Sequence, residues 1–540
     1  MLQDAGEYDF IVVGAGSAGC VLAARLSESG QYRVLLLEAG GEDRAFWIRS
    51  PLGYPMLFAN PKVNWMFDSE PIPELNGRTT YQPRGKVLGG TGSINGSVYI
   101  RGHPLDYDYW RQLGCVGWSF DDVLPYFRRA EDQQRGEDAF HGVGGPLKVS
   151  DHQETYELAD AIIAAGAQAG IPTNRDFNGP TQEGIGYYQT TTYRGRRWST
   201  ATGYLRTARK RANLVVETRA HAVRIKISEG RAVGLEYLSS GGSKFARVRG
   251  EVIVSAGVFG SPQLLMLSGI GPSRHLRDMN LPVILDLPGV GENLHDHFYI
   301  QLMFRCPKAI TLNDVSASWL RKLKAGIQYV FLRKGVLSTN GVYAGAFVRS
   351  DQGLERPDLQ INMNAWSVAE RTRAGMIPHP FPGFTMSPVH LRPQGRGSVR
   401  LKSADPRVAP AINLRFLTTE YDLRAMISGI RIVRRISQQQ ALAPFVSEEF
   451  QPGPKVDSDA ALESFVRRLG YANLHPVGSC RMGSDTEAVV DSRLRVNGVR
   501  MIRVVDSSVM PAIVAGNTNA PTIMIAEKAS DMILADAKAA

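Results

Sequence analysis

The sequence predicts an α/β protein built from a Rossmann-like nucleotide-binding domain and a second, substrate-binding domain. The chain has 540 residues. That exceeds the roughly 250–300 at which a single core stops growing, so two packed domains are expected. Residues 8–41, "YDFIVVGAGSAGCVLAARLSESGQYRVLLLEAGG", run as strand, tight glycine turn, helix and strand, the order of a dinucleotide-binding unit.

In that unit Phe10 to Val13 form a short buried strand, Gly14, Gly16 and Gly19 follow as G-x-G-x-x-G, and Val34 to Leu37 make a second strand ending in Glu38. Gly14 permits the turn, Gly16 lets the backbone approach a pyrophosphate, and Gly19 allows close helix–strand packing. The helix N-terminus offers free N–H groups to the phosphates. Glu38 stands where a carboxylate accepts both ribose hydroxyls, which disfavours a 2′-phosphate but leaves NAD and FAD open. Further on, "GKVLGGTGSING" is too rich in glycine for a helix or strand, so it is a loop whose backbone can lie against a flat ligand.

Composition narrows the function. A hydrophobic share of 43% with 30 prolines describes a globular protein. No apolar run reaches the roughly 18 residues that span a bilayer, and no internal repeat is visible. The opening "MLQDAGEYDF" carries acids and no basic region ahead of an apolar stretch, so no secretory signal is read and a cytoplasmic location is expected. Cys20, Cys115, Cys306 and Cys480 stand far apart and suggest buried thiols rather than zinc ligands or disulfides. The formal charge of +10 is spread over the chain, and without a docking motif no nucleic-acid partner is expected.

Four stretches choose the cofactor: "PRGKVLGGTGSINGSVYIRG" (83–102), "SAGVFGSPQLLMLSGIG" (255–271), "ANLHPVGSCRMG" (472–483) and "VVDSSVMPAIVAGNTNAPTIMIAEKASD" (504–531). Together with the N-terminal fingerprint they resemble the glucose–methanol–choline (GMC) family of FAD-dependent alcohol oxidoreductases, nearly end to end. "NWMFDSEPIPELNGR" and "GRRWSTATGYLR" look like the bacterial choline-dehydrogenase-like branch that includes polyethylene glycol dehydrogenases. The resemblance implies FAD contacts at Ser17, Ala18, Ala39, Gly85, Gly89, Gly90, Asn95, Gly96 and Val98, a backbone contact from Ala222 to the adenine with Trp65 near the same end, and flavin-side contacts at Asp506, Asn519 and Thr522. Ile94 stands where choline oxidases join a histidine to the flavin. Isoleucine has no nucleophile, so FAD is expected to be noncovalent.

By the same resemblance His475 is the base that takes the hydroxyl proton while hydride leaves for flavin N5, and Asn519 is its partner, orienting the alcohol. The expected activity is oxidation of a small-molecule, primary alcohol to the aldehyde, as a dehydrogenase rather than a peroxide-forming oxidase. Oxygen, a quinone or another carrier reoxidises the flavin. A fatty-acid photodecarboxylase branch shares the fold but lacks such a pair, and a noncatalytic flavoprotein would be free to lose it.

The resemblance divides the chain into an FAD domain of residues 1–155, 210–300 and 471–540 and a substrate domain of 156–209 and 301–470, an antiparallel sheet flanked by helices. Phe347, Trp366 and Phe384 are candidates for its pocket. His295-x-His297 is read as local structure rather than a metal site, and His390 as a packed strand residue. The basic amphipathic stretch 319–335, "WLRKLKAGIQYVFLRKG", is expected to pack its apolar face on its own domain. Peripheral membrane contact is the less favoured reading.

Overall fold

The computed structural model describes residues 2–539. Two sheets organise it. The first contains β1 (Gln3–Val13), β2 (Val34–Glu38), β3 (Leu214–Thr218), β4 (His221–Ser228), β5 (Arg231–Ser239), β6 (Gly242–Val254) and β7 (Ile502–Val504). Its order is β3-β2-β1-β6-β5-β4, with β7 also on β6. Strands β3, β2, β1, β6 and β7 are parallel, whereas β4 and β5 join as an antiparallel flap. Phe10–Val13 and all of β2 are buried, so these strands read as continuous apolar runs rather than alternating ones.

From β1 the chain steps to β2 on one side and, later, to β6 on the other. That reversal is the switch point at which open α/β sheets bind ligands. Helix α1 (Ser17–Leu26) leaves the glycine turn there. It packs against the C-terminal helix α2 (Asn519–Ala539), whose residues Ala520–Ser530 are buried. Glu527 ties the two: its carboxylate lies 3.3 Å from Arg25 and 3.0 Å from Arg129 and accepts the Tyr204 hydroxyl at 2.8 Å.

The second sheet is antiparallel and runs in the order 448–451, 302–305, 383–390, 359–364, 342–348, 184–187. Its central strand Gly383–His390 is buried throughout and is covered by the helix Glu420–Ser437. Strand Phe298–Tyr299 pairs with the end of Gly383–His390 on one side and with Tyr471–Ala472 on the other. The expected boundaries at 300 and 471 therefore cut through this ladder, because both segments join the second sheet before turning toward the first.

Two smaller expectations are corrected. Phe347 and Phe384 are fully buried core residues, and of the three aromatic candidates only Trp366 faces a cavity. The basic stretch does form a helix, Trp319–Ile327, but it does not pack its apolar side inward. Trp319 is 70% exposed and Phe331 78%. The four cysteines are buried and unpaired. No helix of the described residues is long and apolar enough to cross a membrane.

Candidate active site

A cavity of about 400 Å³ opens at the C-terminal ends of β1 and β2, and a second of about 170 Å³ adjoins it in the other domain. The first is lined by Gly14, Gly16, Ser17 and Ala18, by Glu38 and Ala39, and by Trp65 and Gly85. Gly90, Asn95, Gly96 and Val98 continue the wall, and Ala222, His475, Asp506, Asn519 and Thr522 complete it. Of the residues expected to touch the cofactor, Gly19 and Gly89 do not face it. A Cβ on Gly19 would lie 1.8 Å from the Gly14 carbonyl oxygen, so Gly19 serves helix–strand packing. Gly89 has φ +86° and donates its N–H to Ala15 O at 2.7 Å. It clamps the second glycine loop onto the first, and a Cβ on the next residue, Gly90, would come within 2.7 Å of Gly16 Cα.

The residues present fit a dinucleotide. Gly16 precedes α1 with φ −73°, and the position of its missing Cβ meets no protein atom within 4 Å, which leaves the helix N-terminus open to phosphate. Glu38 Oε2 accepts Ala15 N–H at 3.0 Å and Oε1 accepts Gly40 N–H at 2.8 Å. Each oxygen keeps a lone pair for a hydroxyl. Burial pushes this carboxyl up to about 7. Trp65 stacks on Phe67 at 5.8 Å and meets the His221 ring at 5.6 Å, which puts it beside Ala222. Asp506 lines the cavity, but its oxygens accept from Gly257 N, Ser261 Oγ and Ser508 N. Its main work is to fix the loop at the C-terminal end of β6.

His475 lies at the seam, lining both cavities together with Asn517. Its neighbourhood is set by an antiparallel exchange between residues 295–297 and 473–477: Asn473 N–H to His297 O at 2.7 Å, and Val477 N–H to His295 O at 2.9 Å. Asp296 turns inward from that ladder and accepts the backbone N–H of His475 at 2.7 Å and of Leu474 at 3.2 Å. Arg84 donates to Leu474 O at 3.0 Å. Burial lowers the imidazole of His475 to about 3, and the Arg84 charge adds to this, so the ring is neutral. Burial raises Asp296 to about 7 against the pull of Arg84 and the N–H donors.

The Asn517 amide nitrogen lies 3.0 Å from His475 Nε2. A bare lone pair on that nitrogen would accept an N–H from this amide. Nδ1 faces His297 Nδ1 at 3.1 Å, with the Asn473 amide 3.2 Å away. Burial first, and the neighbouring His475 next, hold His297 far below the usual histidine range.

The expected partner of His475, Asn519, is corrected by this geometry. Asn519 is the first residue of α2, and its Oδ1 accepts the Ser17 hydroxyl at 2.6 Å. It reaches the glycine turn, not His475. Asn517, two residues earlier in the loop "GNTNAPT", takes the position. Both amides are visible in the sequence, but spacing alone cannot tell which precedes the helix. His297 is expected only as local structure, and neither Asp296 nor Arg84 is singled out from the sequence. The signal that could have found the first two was the second short block "NLHDH", able to pair with "ANLHP". His295 has both ring nitrogens occupied, by Asn293 O at 2.6 Å and Ile513 N at 2.9 Å. His390 pairs with Asp422 at 3.1 Å. Ile94 is buried in a separate apolar cluster with Ile48, Leu57, Val63 and Val87.

Comparison with known proteins gives the site a family context. Two family models described as GMC oxidoreductase match residues 8–299 and 393–526. The oxygen-dependent choline dehydrogenase of Vibrio vulnificus is 44% identical over 98% of this chain and 94% of its own. An alcohol dehydrogenase [acceptor] of Pseudomonas putida is 42% identical over 98% of this chain and 96% of its own. Among solved structures, a variant of the Aspergillus oryzae formate oxidase in which FAD modification was followed superposes with a TM-score of 0.92 at 27% identity. The match covers 99% of this chain and 100% of that one.

The two glycines of the turn make separable predictions. Gly16→Val fills open cavity space at a φ that valine accepts, so it should leave the fold intact while weakening dinucleotide retention at least about tenfold. Gly19→Val should instead prevent folding. Circular dichroism with bound-chromophore content distinguishes them, and equal chromophore retention in Gly16→Val and the parent protein would refute the role given to Gly16.

Proposed function

The chain belongs to the GMC oxidoreductase family, and on that premise we propose that it oxidises a primary alcohol to the aldehyde, with His475 taking the hydroxyl proton and Asn517 holding the same oxygen. It is an FAD-dependent oxidoreductase. The observation that carries the reading is that these two side chains meet at the seam of the nucleotide cavity and the second cavity. FAD, when bound, supplies the hydride acceptor. Gly14 to Ala18, Glu38 and the loop 85–98 would hold it.

An alcohol oxygen that replaces the direct contact between Asn517 and His475 Nε2 can accept from the Asn517 N–H while donating to Nε2. The hydride takes two electrons from the carbinol carbon, and the O–H bond gives its proton to Nε2. As the hydride departs, the hydroxyl becomes that of a protonated aldehyde, a strong acid, so a ring whose basicity burial has lowered still accepts the proton. Asn517 cannot take it, since an amide offers no basic nitrogen. The flavin is held without a covalent bond, because Ile94 has no nucleophilic atom and packs away from the cavity.

The second cavity speaks to the alcohol. Tyr54, Phe58, Tyr299, Trp366 and Met376 line it beside the neutral polar side chains of Gln301, Asn362, Asn364 and Ser387, and among its described lining residues there is no aspartate or glutamate. Arg371 lines it, donates to the Tyr299 hydroxyl and leaves Nε without a partner. A quaternary ammonium about 4 Å from that guanidinium would be opposed by roughly 1–4 kcal/mol. The choline of the named relatives is therefore not carried over, and the substrate reading is a primary alcohol without a cationic group. Dehydrogenase rather than oxidase action follows the branch the chain resembles.

Two outcomes test this reading. His475→Ala should keep its FAD, releasable by acid precipitation, while anaerobic reduction by alcohol slows by about 10² to 10⁴. Because burial keeps the ring neutral, the parent protein should hold its rate from about pH 6 to about pH 9. Full-rate reduction by His475→Ala would overturn the base assignment. In an alcohol panel read with a dye acceptor, the uncharged carbon isostere of choline should exceed choline in kcat/KM by at least about tenfold, and Arg371→Gln should narrow the gap. Preference for choline would contradict the cavity reading, and peroxide formation under air matching the dye rate would contradict dehydrogenase action.

A further inference from the structure

The helix Trp319–Ile327 and the π-type turn Gln328–Leu332 that continues it present their apolar side chains outward. Trp319, Leu320, Leu323, Ile327, Phe331 and Leu332 are each more than half exposed. Val330, Phe331 and Leu332 stand exposed in succession. Three consecutive residues sweep most of a helical turn, so this segment rises above the surface instead of laying one face on it. Tyr329 anchors its base, meeting the Phe46 ring edge-on at 5.6 Å, and Phe46 touches Trp47 at 5.0 Å. Phe46 and Trp47 are themselves 45% and 39% exposed and extend the patch. An apolar surface this continuous marks a docking site on a folded protein.

Charge identifies what docks. From Val315 to Ser350 the chain carries no carboxylate, while Arg321, Lys322, Lys324, Arg333 and Lys334 lie within the segment. Gly195 packs against the Arg333 carbonyl and brings the exposed Arg194 and Arg196 of the hairpin Thr192–Arg197 to the same side. The acid beside the helix, Asp314, stands 3.8 Å from Arg321 and is itself only 10% exposed. A second copy meeting this face across a twofold axis would set these cations against themselves. An anionic lipid surface satisfies both features: the apolar side chains enter the acyl boundary, and the lysines and arginines meet headgroup phosphates.

We propose that this face, centred on residues 319–334 with Phe46 and Trp47, docks the protein on an anionic bilayer as a peripheral, non-spanning contact. The supporting segment continues into the helix Tyr54–Phe58, whose Tyr54 and Phe58 line the second cavity. Docking would thus set the alcohol cavity close to the membrane, within reach of amphiphilic alcohols and lipid-soluble electron carriers.

The test is flotation of the full-length, FAD-loaded protein with vesicles of phosphatidylcholine alone or with phosphatidylglycerol added. Co-flotation is expected with the anionic vesicles at low salt, weakening as salt rises. The double variants Phe331→Glu/Leu332→Glu and Lys322→Glu/Lys324→Glu should each bind at least about tenfold less. Their FAD content and dye-coupled turnover of a soluble alcohol should match the parent. Absence of co-flotation by the parent protein overturns the proposal, as do variants that float equally well. So does a parent that stays with neither vesicle but sediments as a dimer which Phe331→Glu/Leu332→Glu dissociates, since the occupant would then be a second copy.

Discussion

Everything at the seam depends on one carboxylate. Asp296 receives the N–H groups of Leu474 and His475 on its two oxygens, and Leu474 is held at φ +67°, a left-handed conformation that costs a branched residue roughly 1–2 kcal/mol. Arg84 donates to the Leu474 carbonyl oxygen, so the strained residue is gripped from both ends. The next side chain, His475, then points into the cavity wall. Without this grip the segment "ANLHPVG" could relax to an extended path, and the imidazole would lose its place beside Asn517.

The grip also explains how the two domains share one site. Phe298–Tyr299 and Tyr471–Ala472 belong to the second sheet, and the residues immediately beside them, Asp296–His297 and Asn473–His475, form the seam. The antiparallel ladder brings His475 to the mouth of a nucleotide cavity built from β1, β2 and the glycine loops. Helix α2 closes the cavity from the other side. Its first residue, Asn519, reaches Ser17 of the glycine turn, and the loop before it places Asn517 on His475. A neutral histidine results, because burial disfavours the charged ring and the Arg84 cation adds to that effect.

Much of this was legible in the sequence. The strand–turn–helix–strand order of residues 8–41 carried the fold class, since glycine spacing and a fully apolar strand are local features with few alternatives. His475 was legible because the block around it matches a family pattern. What escaped depended on tertiary geometry. Asn517 and Asn519 differ by two positions in a loop, and only the start of α2 decides which amide faces the seam. Gly89 was expected to touch a ligand but instead spends its N–H on Ala15. The stretch 319–335 has the pattern of a packed amphipathic helix, yet the structure leaves Trp319, Leu320, Leu323, Ile327, Phe331 and Leu332 exposed. Periodicity records that a helix has an apolar face, not what covers it.

The central claim is that His475 and Asn517, not Asn519, hold the alcohol oxygen. The most direct measurement is anaerobic stopped-flow reduction of the flavin by alcohol in Asn517→Ala and Asn519→Ala, with FAD occupancy measured on the same samples. The account predicts that Asn517→Ala retains FAD but is reduced about 10²-fold more slowly, whereas the fraction of Asn519→Ala that holds FAD is reduced within about threefold of the parent rate. Slow reduction in FAD-loaded Asn519→Ala alongside near-parental reduction in Asn517→Ala would contradict it.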